Sequence, residues 1–386
     1  MTVKLFDEFA YLTKFDAKVI DIGNDKIGDY IILDKTLFFP EEGGQTPDLG
    51  TVNEVNVTYV KRHDDNIYHY VENISAFSIN DTVTGEIDWN HRYSNMQMHS
   101  GEHIFSGLVF SHFGYNNVGF HLSDNSATMD YNGKLSREDI QMLEDKANRC
   151  IYSNIPIVCR YPSDDELSSM TFRLKKELTG PIRIVSIEGV DTCACCAPHV
   201  KSTGEIGLFK ITSFESYKGG TRVHYLAGFK AFLDYRKKSE SLKDISECLS
   251  SKEGEEVNKV KDLFDSNREL QLSMLTIKNK IISDEISKEF CGQENGVHFS
   301  SNDEISLMKY TMESMHRFYK GTCFVFAGSD VEGYRYFIEN DNEDLTALNN
   351  YLRENLNSKG GGKPHSIQGT VSSDRNTILT LINQWL

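Results

Sequence analysis

Two histidines stand four apart in Met96-Gln97-Met98-His99-Ser100-Gly101-Glu102-His103. In a helix of 3.6 residues per turn, positions i and i+4 share one face, so both imidazoles can reach a single ion. Further on, Asp191-Thr192-Cys193-Ala194-Cys195-Cys196-Ala197-Pro198-His199 brings three thiols and a third imidazole. Imidazole and thiolate donors in two such half-sites are the set a tetrahedral Zn²⁺ takes. The donors expected to hold one zinc per chain are His99, His103, Cys195 and His199. Cys196 is the rival thiolate, with Cys193 behind it.

Three neutral imidazoles and one thiolate leave a zinc site at about +1, a sign that suits a Lewis acid or an anchor for an electron-rich group. Four protein donors also fill a tetrahedron, and filled sites are usually structural. Donor count alone therefore leans towards structure. Glu102 lies about 100° round the helix from His103. The pattern is thus not the HExxH of zinc proteases, and a zincin-type protease is excluded.

Composition narrows the classes. The chain has 386 residues, 39% hydrophobic and 25% charged, which is ordinary for a soluble protein of one to three domains. No run of apolar residues is long enough to span a membrane. The start, Met1-Thr2-Val3-Lys4-Leu5-Phe6-Asp7-Glu8, has no signal-peptide character. Eight cysteines, three of them beside a histidine, favour metal binding in a reducing cytoplasm over a disulfide framework. A formal net charge of −16 argues against a generic nucleic-acid binder, because phosphate contacts need cations. Any RNA contact must use local basic patches.

The elements that position these donors read as an α+β chain. Residues 1–88 alternate apolar and polar in short runs and predict an antiparallel β-barrel or sandwich. Its longest irregular piece, Phe38 to Gly50, carries Gly43-Gly44, a pair suited to positive φ and close backbone approach. A helix over 91–113 carries His99 and His103. Two strands follow around 118–131, then a helix from the capping box at Ser136 to about 153. A strand at 156–161, a loop and short helix through Lys176, and strands at 182–187, 206–212 and 221–227 complete an α+β segment, 89–230. In 231–290 glycine nearly vanishes, and two helices with imperfect heptads are expected. Residues 291–386 read as an α/β domain with helices at 302–317 and 343–356. Near its end, Lys359-Gly360-Gly361-Gly362-Lys363 is expected as a loop before the last strand, able to offer backbone N–H groups and charge to a phosphate.

The motifs together resemble a known family. His99-Ser100-Gly101-Glu102-His103 and Cys195-Cys196-Ala197-Pro198-His199 resemble the editing domain of alanyl-tRNA synthetases, and still more the free-standing AlaX-type alanyl-tRNA editing proteins. Phe39-Pro40-Glu41-Glu42-Gly43-Gly44-Gln45 is similar to the family's glycine-rich loop in its N-terminal barrel. Val118-Gly119-Phe120-His121-Leu122, leading to Asp130, looks like its strand pair beside the site. Gly360-Gly361-Gly362-Lys363-Pro364-His365 resembles the terminal motif of the DHH-associated domain of the long AlaX form. The resemblance implies a zinc-dependent enzyme that acts in trans, without the adenylate-forming domain. It would hydrolyse the ester of mischarged Ser-tRNA(Ala), and of Gly-tRNA(Ala). Gln45, Gly43 and Gly44 would line the aminoacyl pocket. The synthetase pattern Cys-Gly-Gly-Thr-His is Cys-Cys-Ala-Pro-His here, which bears on amino-acid preference more than on the metal.

Candidate contacts to tRNA phosphate are Arg173 with Lys175 and Lys176, Lys218 with Arg222, Arg236 to Lys238, and Lys359 with Lys363. A homodimer through the helical segment and the C-terminal domain is expected from the apolar stripe of the second helix and by analogy with the family. Two rival readings are a zinc-stabilised RNA-binding module without catalysis and a metal hydrolase of another small ester.

Overall fold

Alternate residues of the strand Lys14–Asn24 are buried, with Phe15, Ala17 and Val19 turned inward. That alternation is what a strand with one solvated face requires. The computed structural model describes residues 1–123, 126–174, 181–300 and 304–386. The chain divides into two units, Met1–Asp244 and Ile245–Leu386.

The first unit begins with β1 (Val3–Lys4), β2 (Lys14–Asn24), β3 (Asp29–Leu33), β4 (Lys35–Thr36), β5 (Gly50–Val52), β6 (Val55–His63), β7 (Asn66–Val71) and β8 (Thr82–Ile87). Six of these close into an antiparallel barrel in the order β2-β3-β7-β6-β5-β8. Its core is built from Phe15, Val19, Ile31, Leu33, Phe38, Phe39, Val52 and Val83.

Asp88 caps the next helix by accepting from the His91 N–H, and α1 runs Trp89–Phe113. Residues Met96 to Val109 of α1 are all buried. The polar members of this stretch, Gln97, His99, Ser100, Glu102, His103 and Ser106, are enclosed because each finds a hydrogen-bond partner within the domain. Small residues also make it possible: Gly101 lies under Phe209 and Ala227, and Gly107 under the Val190 carbonyl.

Around α1 stand β9 (Asn117–Leu122), β10 (Ala127–Tyr131), α2 (Arg137–Tyr152), β11 (Ile157–Arg160), α3 (Asp164–Ser169), β12 (Ile184–Ile187), β13 (Asp191–Ala194), β14 (Phe209–Tyr217) and β15 (Gly220–Ala227). They form an antiparallel sheet β14-β15-β10-β9 and a second one, β11-β12-β13. α2 opens on the expected capping box, Ser136 with Asp139. The strand expected from Ile206 starts instead at Phe209. Thr203–Ile206 is a 3-10 turn, pinned by the Thr203 hydroxyl on the Cys150 carbonyl and ended by Gly207 at φ 78°.

α4 (Gly228–Leu249) crosses the boundary between the units, and α5 (Glu256–Glu289) follows after Gly254. These are the two helices expected over 231–290. Leu263, Leu270, Met274 and Ile277 of α5 are exposed, whereas Ile282 and Ile286 join the core beside α6 (Ile305–Met315). The second unit adds β16 (Gly296–Ser300), β17 (Cys323–Ser329), β18 (Gly333–Glu339), α7 (Thr346–Leu356), β19 (Lys359–Lys363), β20 (Ser366–Val371) and α8 (Arg375–Trp385). The sheet order is β16-β17-β18-β20-β19.

Lys359–Lys363 is not a loop but an edge strand paired with β20. Its glycines are what the pairing demands, because a Cβ at Gly360 would collide with the Tyr336 hydroxyl and the Gln368 carbonyl. The last helix, α8, escaped the sequence reading, although Asp374 caps it at Thr377 N and Ile378 and Ile382 mark its buried face. The α+β class itself holds.

Candidate metal centre

His99 and His103 project from the middle of α1, one turn apart, with ring centroids 5.5 Å apart. His199 closes the third side, 4.9 Å from His99 and 4.7 Å from His103 by centroid. Cys195 follows the end of β13. Its Sγ lies 3.5 Å from His99 Nε2 and 3.4 Å from His199 Nε2. One donor atom from each of the four residues falls within 4.8 Å of all the others.

The orientation of the rings is fixed from behind. His99 Nδ1–H donates to Gln45 Oε1 at 2.8 Å, and His103 Nδ1–H donates to Asp191 Oδ2 at 2.9 Å. His199 Nδ1 meets Ser100 Oγ at 3.1 Å. Each imidazole thus engages Nδ1 and leaves Nε2 for the centre, the arrangement that sets the tautomer of a metal ligand. Among the described residues, His103 Nε2 is buried with no partner at hydrogen-bond geometry.

Electrostatics agree with a cation there. Burial pushes the Cys195 thiol up, but His99, His199 and His103 together hold it well below its ordinary value. Burial drives His199 down to about 3, so it is neutral. His103 is lowered by burial, yet Asp191 and Cys195 outweigh that and raise it to about 9. A thiolate facing imidazoles attracts a proton or a metal. The donor set therefore fits Zn²⁺.

Cys196 does not join this group. Burial and the Cys195 charge raise its thiol, and it packs against the barrel core near Gly43. A second cluster, His103, Asp191 and Cys193, shares two members with the site's own support. Its Asp191 already takes a two-pronged ion pair from Arg173, at 2.7 Å and 2.8 Å. That pairing corrects the reading of Arg173 as a phosphate contact: it is buried, and it supports the carboxylate that orients His103.

The glycine-rich loop reaches the site from the barrel. Leu122 N donates to Gly44 O at 2.7 Å, and Gln45 bridges to the end of β9. Gly43 and Gly44 have φ of 65° and 85°. A Cβ on Gly44 would strike the Phe120 carbonyl oxygen, whose own ring lies 4.8 Å from His99. Gly44→Ala is therefore expected to cost at least about 1 kcal/mol, since a left-handed backbone is added to a collision. Thermal unfolding checks it, and an unchanged melting temperature would contradict the close approach. Gln45 is buried, with Oε1 on His99 and Nε2 unpaired among the described residues.

Residues the sequence reading passed over also build the centre. Arg183 donates to the carbonyls of Cys195 (3.1 Å) and Ala197 (2.9 Å), clamping the cysteine turn. Its only sequence signal was an arginine inside the apolar run Ile182 to Ile187. Glu102, set aside on helical spacing, is wholly buried. Its Oε1 accepts from Ser106 and Asn117, both at 2.6 Å, while Oε2 curls to 3.9 Å from His103 Nε2.

Of the other sequence candidates, Arg222 pairs with Asp130 at 2.6 Å and 2.7 Å and stacks 3.6 Å from the Tyr217 ring centroid. Lys218 sits at the tip of the same hairpin with φ 46°. Lys359 and Lys363 are exposed at the two ends of β19. Lys175 and Lys176 lie outside the described residues.

Comparison with known proteins adds two family models. One, for tRNA synthetases class II (A), matches residues 7–91, the barrel with Gln45. The other, the threonyl and alanyl tRNA synthetase second additional domain, matches 182–224, with Arg183, Asp191, Cys195 and His199. The alanyl-tRNA editing protein Aarsd1 of Danio rerio is 28% identical over 90% of this chain and 85% of its own. The alanyl-tRNA editing protein AlaX-L of Pyrococcus horikoshii is 27% identical over 97% of this chain and 95% of its own. An alanine–tRNA ligase of Pyrococcus abyssi is 29% identical over 96% of this chain, which spans only 42% of that enzyme. Residues 182–224 match the second additional domain of the threonyl and alanyl tRNA synthetases, and along nearly its whole length the chain is a relative of the alanyl-tRNA editing proteins.

Proposed function

We propose that this chain is a trans-editing hydrolase that deacylates mischarged Ser-tRNA(Ala), and Gly-tRNA(Ala) as a second substrate. The observation that carries the reading is the convergence of His99, His103, Cys195 and His199 on one point, beside Gln45, whose Nε2 has no partner among the described residues. His99, His103, Cys195 and His199 would hold one Zn²⁺. When bound, the ion supplies positive charge to the aminoacyl ester and its attacking water.

The chain's own residues do the rest. Gln45 Nε2 donates to the aminoacyl group, and the Gly43-Gly44 backbone lines the pocket without side chains in the way. A site that grips the serine hydroxyl rejects alanine strongly, because its polar groups would otherwise be left unpaired. Phosphate contacts fall to local cations, Lys218 and Arg222 in the first unit and Lys359 and Lys363 in the second. Lys175 and Lys176 remain candidates of the same kind. In this reading 1–88 and 89–230 form the catalytic body, 231–290 a helical connector and 291–386 the terminal domain. The exposed stripe of α5 supports a homodimer. No helix among the described residues is long and apolar enough to cross a membrane, and the enzyme is proposed to work in the cytoplasm.

The test is deacylation of Ser-, Gly- and Ala-tRNA(Ala) with and without a chelator. Serine release should be selective, stop on metal removal and return with Zn²⁺. Gln45→Ala should slow it roughly 100-fold even with zinc in saturating excess, the scale of losing one preorganised donor; at limiting zinc it should also weaken metal binding, because His99 loses the partner of its Nδ1. Binding of tRNA without turnover would point to the binding-module reading, and turnover of small esters alone to a different hydrolase.

A further inference from the structure

α4 leaves the metal-centre domain with a run unlike the rest of this acidic chain: Phe229-Lys230-Ala231-Phe232-Leu233-Asp234-Tyr235-Arg236-Lys237-Lys238. Four cations against one carboxylate give this run +3, within a chain of −16. Ala231 is buried, while Phe229 is 62%, Phe232 43% and Tyr235 67% exposed. Positions three and four apart stack along a helix. Accordingly the Phe229 and Phe232 rings lie 5.7 Å apart, and the Arg236 guanidinium sits 4.7 Å from the Phe232 centroid. Phe229, Phe232 and Arg236 form a solvent-facing ladder of flat groups, and the exposed Lys237 follows one residue on, about 100° round the helix.

The foot of this ladder is held on the helix that carries the histidines. Phe229 N donates to Gln97 Oε1 at 3.4 Å. Gly228 has φ 63°, and a Cβ there would collide with the Gln97 amide. Gln97 in turn donates from Nε2 to Glu205 O at 2.8 Å, and it stands two residues before His99. The ladder is therefore placed rigidly with respect to the metal centre.

We propose that this face of α4 is a stacking platform for unpaired bases of an RNA, with Arg236 and Lys237 meeting its phosphates. Naming that RNA as the aminoacylated tRNA rests on the function proposed above. The platform itself rests on the ladder and its charge. Aromatic rings accept any base by stacking, and cations tracking the strand supply the rest of the affinity. Phenylalanine and arginine also suit the centre of a protein interface, but four cations against one carboxylate in ten residues favour a polyanion.

The experiment uses the full chain with uncharged tRNA(Ala) transcript, followed by fluorescence anisotropy at several salt concentrations. Phe232→Leu and Arg236→Glu should each weaken binding by about tenfold or more, within the range measured for lost base stacking. Phe232→Tyr, which keeps a stacking ring, should stay within about twofold of the parent. Arg236→Glu should also flatten the slope of log K against log salt by about one. Zinc content and melting temperature report folding, and Arg236→Gln carries the same test if the charge reversal disturbs it.

If Phe232→Leu and Arg236→Glu bind like the parent, the platform falls. If they bind RNA normally but lose self-association in sedimentation, the face is a protein interface and the platform also falls. Should the parent chain fail to hydrolyse Ser-tRNA(Ala) while these binding losses persist, the proposed function fails and the platform stands.

Discussion

Cys195→Ala is expected to empty the metal centre and abolish deacylation together, whereas Cys196→Ala should preserve both. Cys195 is the donor whose sulfur touches two of the three imidazoles, at 3.4 Å and 3.5 Å. Removing it leaves three nitrogen donors and takes away the one anion that neutralises the ion. The loss should exceed the roughly 10- to 100-fold in metal affinity typical of changes one shell further out. Deacylation of Ser-tRNA(Ala) should therefore fall by more than about 100-fold at limiting zinc. Cys196 lies outside the donor group and packs as a small apolar side chain against the barrel. Its replacement by Ala should cost about 1 kcal/mol of stability at most and no metal. Metal analysis by mass spectrometry beside a single-turnover assay decides the matter. Retention of stoichiometric zinc by Cys195→Ala would sink the donor assignment.

Arg92→Met is expected to have the largest effect on stability. Arg92 and Asp48 form an ion pair with both side chains fully buried. Arg92 Nε donates to Asp48 Oδ1 at 2.9 Å, and the same guanidinium reaches the carbonyls of Ala10 and Leu37. Asp48 also accepts from Phe39 N at 2.6 Å. One pair thus holds the glycine-rich loop on α1, three residues after Gln45 and seven before His99. Losing the arginine leaves a carboxylate buried and uncompensated, a change that costs about 3–5 kcal/mol. For a unit of this size that is a fall of roughly 6–20 °C in melting temperature. Adding Asp48→Asn to Arg92→Met should recover part of the loss, because the stranded charge is gone. Because the loop places Gln45, turnover should drop in the single variant even below its melting point. A melting temperature within about 2 °C of the parent would show that the clamp is dispensable.

How much of this was legible beforehand depended on the range of the interaction. Local order read well. Helical spacing placed His99 and His103 on α1, Ser136 with Asp139 marked the start of α2, and the two helices of 231–290 emerged from composition. These signals are periodic or short, and the backbone reports them within a few residues. Lys359–Lys363 misread as a loop because glycine has low strand preference. The reason for glycine there is the Tyr336 hydroxyl, more than twenty residues away in sequence. Arg173 misread as a phosphate contact for the same kind of reason: a surface-type residue finds a buried carboxylate, Asp191, across the fold.

The sequence by itself determined the chemistry on offer: two half-sites with imidazole and thiolate donors, a glycine pair beside Gln45, and an acidic chain in which RNA contact must be local. Donor type and helical register are properties of single segments, so no fold is needed to state them. Only the tertiary structure decided which thiol closes the set. Cys195 and Cys196 are neighbours in sequence, but successive side chains past a strand end point to different sides. The Arg183 clamp on the turn sends one to the imidazoles and the other to the barrel. The same holds for the groups behind the histidines. Gln45, Asp191 and Ser100 come from three separate segments, and only chain folding brings their oxygens to the three Nδ1 atoms.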